Sequence, residues 1–393
     1  LPMFAVFQFA RKGARALVLP LFALALAACE PVPGSGLGGG TPSGDPVPVA
    51  LLVPSGSGDG SQELIATSLE NAVRLAMRDL NGAAIDLRVY PTAGDAALAA
   101  ANAGKAVDEG AEIIIGPVFA ASANAAANAV AGRGVSVLSF SNNAAIAGGN
   151  LFVLGPTFQN TANRMAAYAA SQGKQRVVVV YGEDVAGQQG RDAITRAVSA
   201  QGGTVVGSIG YALSQQAVIA SIPQIKAAVE GGGADSIFFT TDSATALPLL
   251  SQLLPEAGIS SDVAQFIGLT RWDIPAQTLT LPGVQDSWFA IPDAAATNSF
   301  TSQYNAAYGT APHPIAGLGF DAIAAIGALA SRGQASNLTP ATLSQSAGYR
   351  GASGIFRLNG DGTNSRGLAV ATISGAQVSI LSPAPQRFGG AGF

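Results

Sequence analysis

Short apolar runs rich in β-branched residues alternate with longer helical segments from Val47 onward, and this alternation constrains the fold. The run at residues 47–53 precedes residues 61–80, whose apolar positions recur at helical spacing. A second run at 85–90 precedes an Ala-rich segment at 95–107. Strands separated by helices of this length predict a parallel sheet built from βαβ units. The sequence therefore predicts an α/β fold.

The alternation occurs twice along the chain. The first series ends near Gly155 with predicted strands at 113–115 and 135–140. The second series contains predicted strands at 176–181, 204–209, 236–240, 265–269 and 287–291. Two helical segments then follow at 299–308 and 315–330, and after them come strand-like pieces at 354–358, 368–373 and 377–381. Ligands of open α/β sheets bind beyond the carboxyl ends of the strands, so two facing lobes would form a cleft.

Length and charge support two lobes and exclude one class of partner. A chain of 393 residues is long for a single hydrophobic core. It carries 20 basic and 24 acidic residues, which leaves no basic footprint for nucleic acid.

The first 28 residues resemble a secretory signal. Arg11, Lys12 and Arg15 precede an apolar run at 16–28, and the run ends at Cys29. A basic start, a short apolar core and small residues before the cut are typical of such signals. The run is too short to cross a bilayer about 30 Å thick, and the alternative is a buried core helix.

Residues 26–29, Leu-Ala-Ala-Cys, resemble the bacterial lipobox. The resemblance implies that Cys29 carries a diacylglycerol and that the new amino terminus is acylated, so the lipid would be the only membrane contact. An Asp directly after the lipidated Cys resembles an inner-membrane retention signal. This chain has Glu30 at that position, which favours the outer membrane. Residues 29–46 are rich in Pro, Gly and Ser, which predicts a flexible tether.

Residues typical of catalysis and of cofactor binding are sparse. Cys29 is the sole cysteine, and His313, between Pro312 and Pro314, is the sole histidine. A single histidine supplies neither a zinc site nor a recognisable Ser-His pair. The glycine runs lack the Lys and Ser/Thr of a phosphate loop. We expect no enzyme activity, no cofactor and no metal.

Six stretches, taken in order, resemble the type I periplasmic binding proteins, specifically the leucine/isoleucine/valine receptor-like family. They are 49–56, 76–81, 114–117 with Ser122, 137–142, 319–322 and 351–354. The resemblance implies the type I periplasmic-binding-protein fold, two doubly wound Rossmann-like lobes joined by a three-segment hinge. Lobe 1 would comprise 47–155 and 292–350. Lobe 2 would comprise 156–291 and 351–393.

The resemblance also implies ligand contacts in lobe 1. Amino-acid receptors hold the ligand carboxylate on backbone amides and hydroxyls after the third and fourth strands. The lobe 1 candidates here are Ser55, Ser122, Ser139, Ser141 and Asn142. Short polar residues at strand ends also cap the following helix, which is the structural alternative.

Further candidates follow predicted strands of lobe 2. They are Tyr181, Asp242, Arg271 and Trp272. Arg271 could pair with an anionic group, and Trp272 could pack on a ring or a sugar face. The alternative is a solvated loop with local ion pairs. Asp321 is expected to act as a charge at the start of a helix.

Two positions depart from the amino-acid receptors. Ala186 stands where they place a Tyr, and Leu64 stands where an aromatic is expected. The signal, the tether and the ending at 366–385 resemble the penicillin-binding protein activators of Gram-negative bacteria. The first hypothesis is therefore a non-enzymatic activator of a peptidoglycan synthase, a penicillin-binding protein. The second is a substrate-binding receptor of an ABC transporter for amino acids or a related small solute.

Overall fold

The computed structural model describes residues 45–80 and 83–389. The predicted signal, Cys29 and the tether up to residue 44 lie outside these described residues. Within 45–80 and 83–389, no helix is both long and apolar enough to cross a membrane.

Lobe 1 is built on a five-stranded parallel sheet with the strand order β2-β1-β3-β4-β5. Its strands are β1 (Val47–Val53), β2 (Ile85–Pro91), β3 (Ile113–Ile115), β4 (Ser136–Ser139) and β5 (Leu151–Val153). The helices between them are α1 (Gly60–Arg78), α2 (Ala96–Asp108) and α3 (Ala120–Val130). Strand β3 is buried on both faces, as its run of three isoleucines predicts for a parallel sheet.

Lobe 2 contains a seven-stranded sheet with the order β15-β14-β10-β9-β8-β6-β7. Its helices are α4 (Phe158–Ser171), α5 (Val185–Ala200), α6 (Gln215–Gly232) and α7 (Leu247–Glu256). The parallel strands are β6 (Arg176–Gly182), β7 (Thr204–Tyr211), β8 (Ser236–Phe239), β9 (Gln265–Gly268) and β10 (Trp288–Ile291). Helices α4 and α5 share one core with the sheet, and α6 and α7 share another.

After β10 the chain returns to lobe 1. The segment contains helices α8 (Ala294–Tyr308), α9 (Gly317–Ala330) and α10 (Pro340–Leu343) and a small antiparallel sheet of β11 (Tyr349–Gly351), β12 (Gly354–Leu358) and β13 (Asn364–Arg366). Ile323 and Ile326 of α9 share the core of β1. Antiparallel strands β14 (Ala369–Ser374) and β15 (Gln377–Ser382) then extend the lobe 2 sheet.

The core packing of β12 and β14 favours a third crossing between the lobes later in the chain than the expected position near residue 350. Phe356 and Leu358 of β12 are buried in the core of lobe 1, whereas Ala369 of β14 belongs to a core of lobe 2. The sequence pattern shows a strand at 354–358 but not the sheet that it joins. We therefore propose that residues 351–366 belong with lobe 1 and that the third crossing lies at 367–368.

A buried ion pair lies where the first and third crossings meet. Arg366 Nη1 lies 2.9 Å from Asp321 Oδ2, and both side chains are almost fully buried. Arg366 also donates to the carbonyl oxygen of Leu154, and Asp321 accepts from the backbone amide of Ala352 at 2.8 Å. Burial raises the pKa of Asp321, and the neighbouring guanidinium acts against that rise.

The role expected for Asp321, a charge at a helix start, is therefore wrong. Helix α9 begins at Gly317, and no acidic residue lies in its first turn. The carboxylate points instead into the junction of the two crossings, where only buried partners satisfy it. Asn364 reinforces the same junction, because its side-chain amide donates to the carbonyls of Val153 and Gly155 at 2.8 and 2.9 Å.

Candidate functional site

The loops after the parallel strands lie at the carboxyl edge of each sheet, where open α/β sheets bind ligands. In lobe 1 the loop after β4 is held by its own hydroxyls. Ser139 Oγ donates to the carbonyl of Pro117 at 3.0 Å and accepts from the amide of Ser141 at 3.0 Å. Ser141 Oγ accepts from the amide of Asn143 at 3.1 Å. The buried hydroxyls thus shape this loop.

The other lobe 1 candidates divide by exposure. Ser122 is buried, and its hydroxyl donates to the carbonyl of Gly94 at 3.2 Å. Ser55 is half-buried, and its carbonyl accepts from the amide of Ala93 at 2.9 Å. Asn142 is exposed. The hydroxyls of Ser122, Ser139 and Ser141 are bound to backbone groups, as the structural alternative expects, whereas Asn142 is open to a solute.

In lobe 2, Tyr181 and Asp242 lie at the carboxyl edge with local partners. The guanidinium of Arg191 stacks 5.0 Å from the ring centre of half-buried Tyr181. Asp242 Oδ1 accepts from the amide of Ala244 at 3.1 Å and from the hydroxyl of Thr245 at 2.8 Å. Both residues are partly exposed, so each could also contact a solute.

Arg271 differs from its predicted role. Its Nε lies 2.7 Å from Asp273 Oδ1, and its Nη2 binds the other carboxylate oxygen. The predicted bidentate partner is thus supplied two residues along the same loop. A solute anion would have to displace Asp273, and this makes Arg271 a weaker anion site than the sequence predicts.

Trp272 was predicted to offer a ring surface, and that prediction is wrong. The side chain is 1% exposed, and its ring centre lies 5.7 Å from that of Phe239. Its indole nitrogen donates to the carbonyl of Thr241 at 3.4 Å. Gly268 makes room for the indole, because a Cβ there would lie 2.6 Å from Trp272 Cε2. Trp272 is therefore a core residue of lobe 2.

His313 stabilises its own loop, because its Nδ1 accepts a hydrogen bond from the amide of Ile315 at 3.4 Å. Among the described residues, no three His, Cys, Asp or Glu side chains are grouped so that they could hold a metal ion.

A pocket of about 320 Å³, lined by both polar and apolar side chains, lies between the lobes near the first crossing. Its lobe 1 side is the loop after β4, including Asn142 and Asn143, and its lobe 2 side is formed by α4 and α5. Arg196 of α5 donates from Nε to Gln159 Oε1 of α4 at 3.0 Å. The α5 residues of this pocket were not predicted, because the expected ligand contacts follow the ends of strands. They lie on a helix face and are Gln189, Asp192 and Arg196.

Large apolar side chains are exposed along both carboxyl edges. In lobe 1 these are Leu64, 59% exposed, and Phe119, 38% exposed. In lobe 2 they are Val185, Leu213 and Ile274, at 73%, 61% and 54%. Leu64 is one of the two departures noted in the sequence, and Val185 precedes the other, Ala186. Apolar side chains are therefore exposed on the carboxyl edge of each lobe.

This chain matches one family model and is similar in fold to many solved structures. A family model described as periplasmic binding protein matches residues 46–377. A search of curated protein sequences gave no match.

Solved structures of similar fold cover nearly the whole described chain. A protein from Rhodospirillum rubrum described as a branched-chain amino acid ABC transporter has 18% identity and a TM-score of 0.72, with 86% of this chain and 100% of that chain covered. A substrate-binding protein from Desulfitobacterium hafniense in complex with Leu has 20% identity and a TM-score of 0.60, with coverage of 86% and 100%. A solute binding protein from R. palustris in complex with benzoate has 17% identity and a TM-score of 0.54, with coverage of 89% and 99%.

Proposed function

Because this chain belongs to the periplasmic binding protein family, we propose that it is the solute receptor of an ABC transporter. The observation that carries the proposal is the exposed apolar and polar lining on the carboxyl edges of both lobes. The similar structures are solute-binding proteins, two of them with Leu or benzoate bound. Membership of the family supports a periplasmic location and a binding role rather than an enzyme activity.

Closure of the lobes around the solute would supply the affinity. A ligand shifts a conformational equilibrium only when it binds one state better than the other. Closure would bring Asn142 of lobe 1 towards Tyr181 and Asp242 of lobe 2 and would cover Phe119. The proposed solute is therefore an amino acid or a related small molecule with an apolar part and a group that accepts or donates hydrogen bonds.

Thermal unfolding of the purified chain tests this function. Each standard amino acid and benzoate is added in turn, and a bound solute at a roughly hundredfold excess over Kd should add about 2.7 kcal/mol of stability. In Asn142→Trp the new side chain should block the loop after β4 and abolish the shift. Asn305→Trp, an exposed position on α8, serves as the matched control. If no solute shifts the midpoint, or if both variants lose the shift, the receptor proposal fails.

A second candidate is an activator of a peptidoglycan synthase anchored to the outer membrane through Cys29. The observation that favours it is the departure at Ala186 and Leu64, where two receptor aromatics are absent. Mass spectrometry of the cell-derived protein tests the acyl chains on Cys29. Capture of a penicillin-binding synthase by the immobilised chain, together with no solute-induced shift, would favour the activator over the receptor.

A further inference from the structure

A second cavity, of about 380 Å³, opens where α6 and α7 begin. We call it the α6/α7 pocket. Its walls include Tyr211 at the end of β7, Val218 on α6 and Leu249 on α7, and exposed Leu213 forms its lip. Every lining residue belongs to lobe 2. The pocket is therefore complete without any contribution from lobe 1.

The lining is apolar and carries no charged side chain. Val218 and Ala246 are buried, and Leu249 packs against the core of α6 and α7. Burial raises the pKa of Tyr211, so the phenol stays neutral at physiological pH. An anionic group placed here would lose its hydration without gaining a cationic partner, and the nearby carboxylates of Asp184 and Asp242 would repel it.

The two hydroxyls at the rim already have partners. Ser214 Oγ accepts from the amide of Ala217 at 3.2 Å, where it caps α6. Thr245 Oγ1 donates to Asp242 Oδ1 at 2.8 Å. The α6/α7 pocket therefore offers mostly apolar contact and few free hydrogen-bonding groups.

We propose that the α6/α7 pocket binds a compact, uncharged apolar molecule and that this binding does not require closure of the lobes. Small-molecule pockets span about 300–1,000 Å³, and the pocket lies near the lower end of that range. Its volume suits a molecule of two or three rings rather than the face of a protein partner. Since lobe 1 contributes no wall, an occupant gains little from closure and should bind the open form equally well.

Fluorescence titration with N-phenyl-1-naphthylamine, an uncharged apolar probe, tests the site on the full chain. We expect saturable binding by the wild type. Leu249→Trp should fill the pocket and weaken binding by about tenfold or more. Leu213→Ser removes only the exposed lip and should weaken it by about threefold. The matched control is Ile219→Ser, because Ile219 is 47% exposed on α6 but does not line the pocket.

The outcomes separate this site from the interlobe cleft. Asn142→Trp, which should abolish solute binding in the cleft, should leave the probe affinity unchanged. Non-saturable binding, or equal losses in Leu213→Ser and Ile219→Ser, would overturn the proposal. If Leu249→Trp does not fold, the exposed pair Leu213→Ser and Ile219→Ser still decides the question.

Discussion

The two carboxyl edges of the molecule are built from different chemistry. In lobe 1 the loops after β3, β4 and β5 carry no charged side chain, and Ser139 and Ser141 hold backbone groups in place. In lobe 2 the loops after β6, β8 and β9 carry Glu183, Asp242 and the Arg271–Asp273 pair, among others. These three loops of lobe 1 thus form a neutral, preformed part of the edge, whereas Asp59 and Asp95 after β1 and β2 cap α1 and α2.

The largest difference in the free energy of unfolding is expected between one aromatic side chain from each edge. Trp272→Ala in lobe 2 should lower the free energy of unfolding by about 3–5 kcal/mol, because it empties a buried site. Phe119→Ala in lobe 1 should lower it by only about 1–2 kcal/mol, since Phe119 is 38% exposed and has less buried apolar area to lose. Urea denaturation measures both variants. Equal losses would mean that the contrast between a buried and an exposed aromatic does not hold.

The next largest difference in the free energy of unfolding is expected between a buried and an exposed ion pair. Arg366→Met leaves Asp321 buried without its charged partner and should cost about 3 kcal/mol. Arg271→Met breaks a pair in which the arginine side chain is 40% exposed, and it should cost less than about 1 kcal/mol. Chemical denaturation of the two variants checks the difference. A cost for Arg271→Met as large as that of Arg366→Met would contradict the assignment.

Tyr349 should make the free energy of unfolding fall at alkaline pH. Burial raises its pKa to about 12, and its hydroxyl donates to the carbonyl of Leu343 at 2.8 Å. Since the folded pKa lies above the ordinary tyrosine value of 10.0, the native state keeps a proton that the unfolded state loses, and stability falls between pH 10 and 12. The loss should amount to about 2 kcal/mol.

Tyr349→Phe should flatten that part of the pH profile, although it loses the hydrogen bond to Leu343 at every lower pH. Unfolding followed by circular dichroism from pH 9 to 12 gives the slope. An unchanged slope in the variant would show that Tyr349 does not cause the loss.

Ser139→Ala should lower the free energy of unfolding by less than Trp272→Ala or Arg366→Met does. Removing the hydroxyl breaks two hydrogen bonds that shape the loop after β4 and should cost about 1 kcal/mol. Asp242→Ala is the counterpart in lobe 2, where the carboxylate also holds its own turn. A much larger effect of Asp242→Ala would mean that lobe 2 is the more rigidly built of the two edges.

The α/β class and most strands could be predicted because parallel strands carry continuous apolar runs. Strand β5 was missed, since Val153 is its only β-branched residue, whereas the equally short β3 consists of three isoleucines. The third crossing is harder to predict, because periodicity shows that residues 354–358 form a strand but not which core they join.

The site was predicted less well than the fold. Strand-end positions were found from the topology rule, but burial of a side chain depends on neighbours far along the chain. The partner of Arg271 lies two residues away, yet sequence alone did not show that the turn brings Asp273 against it. The α6/α7 pocket could not be predicted from the sequence, because Tyr211, Val218 and Leu249 meet only through tertiary packing.

The fit of Trp272 over Gly268 also limits the order in which substitutions can accumulate. Any side chain at position 268 would collide with the rigid indole. A lineage that replaced Gly268 first would pass through a destabilised intermediate, whereas one that first replaced Trp272 with a smaller residue would relieve the collision. The two positions should therefore change together among descendants of this sequence, with the tryptophan lost before the glycine.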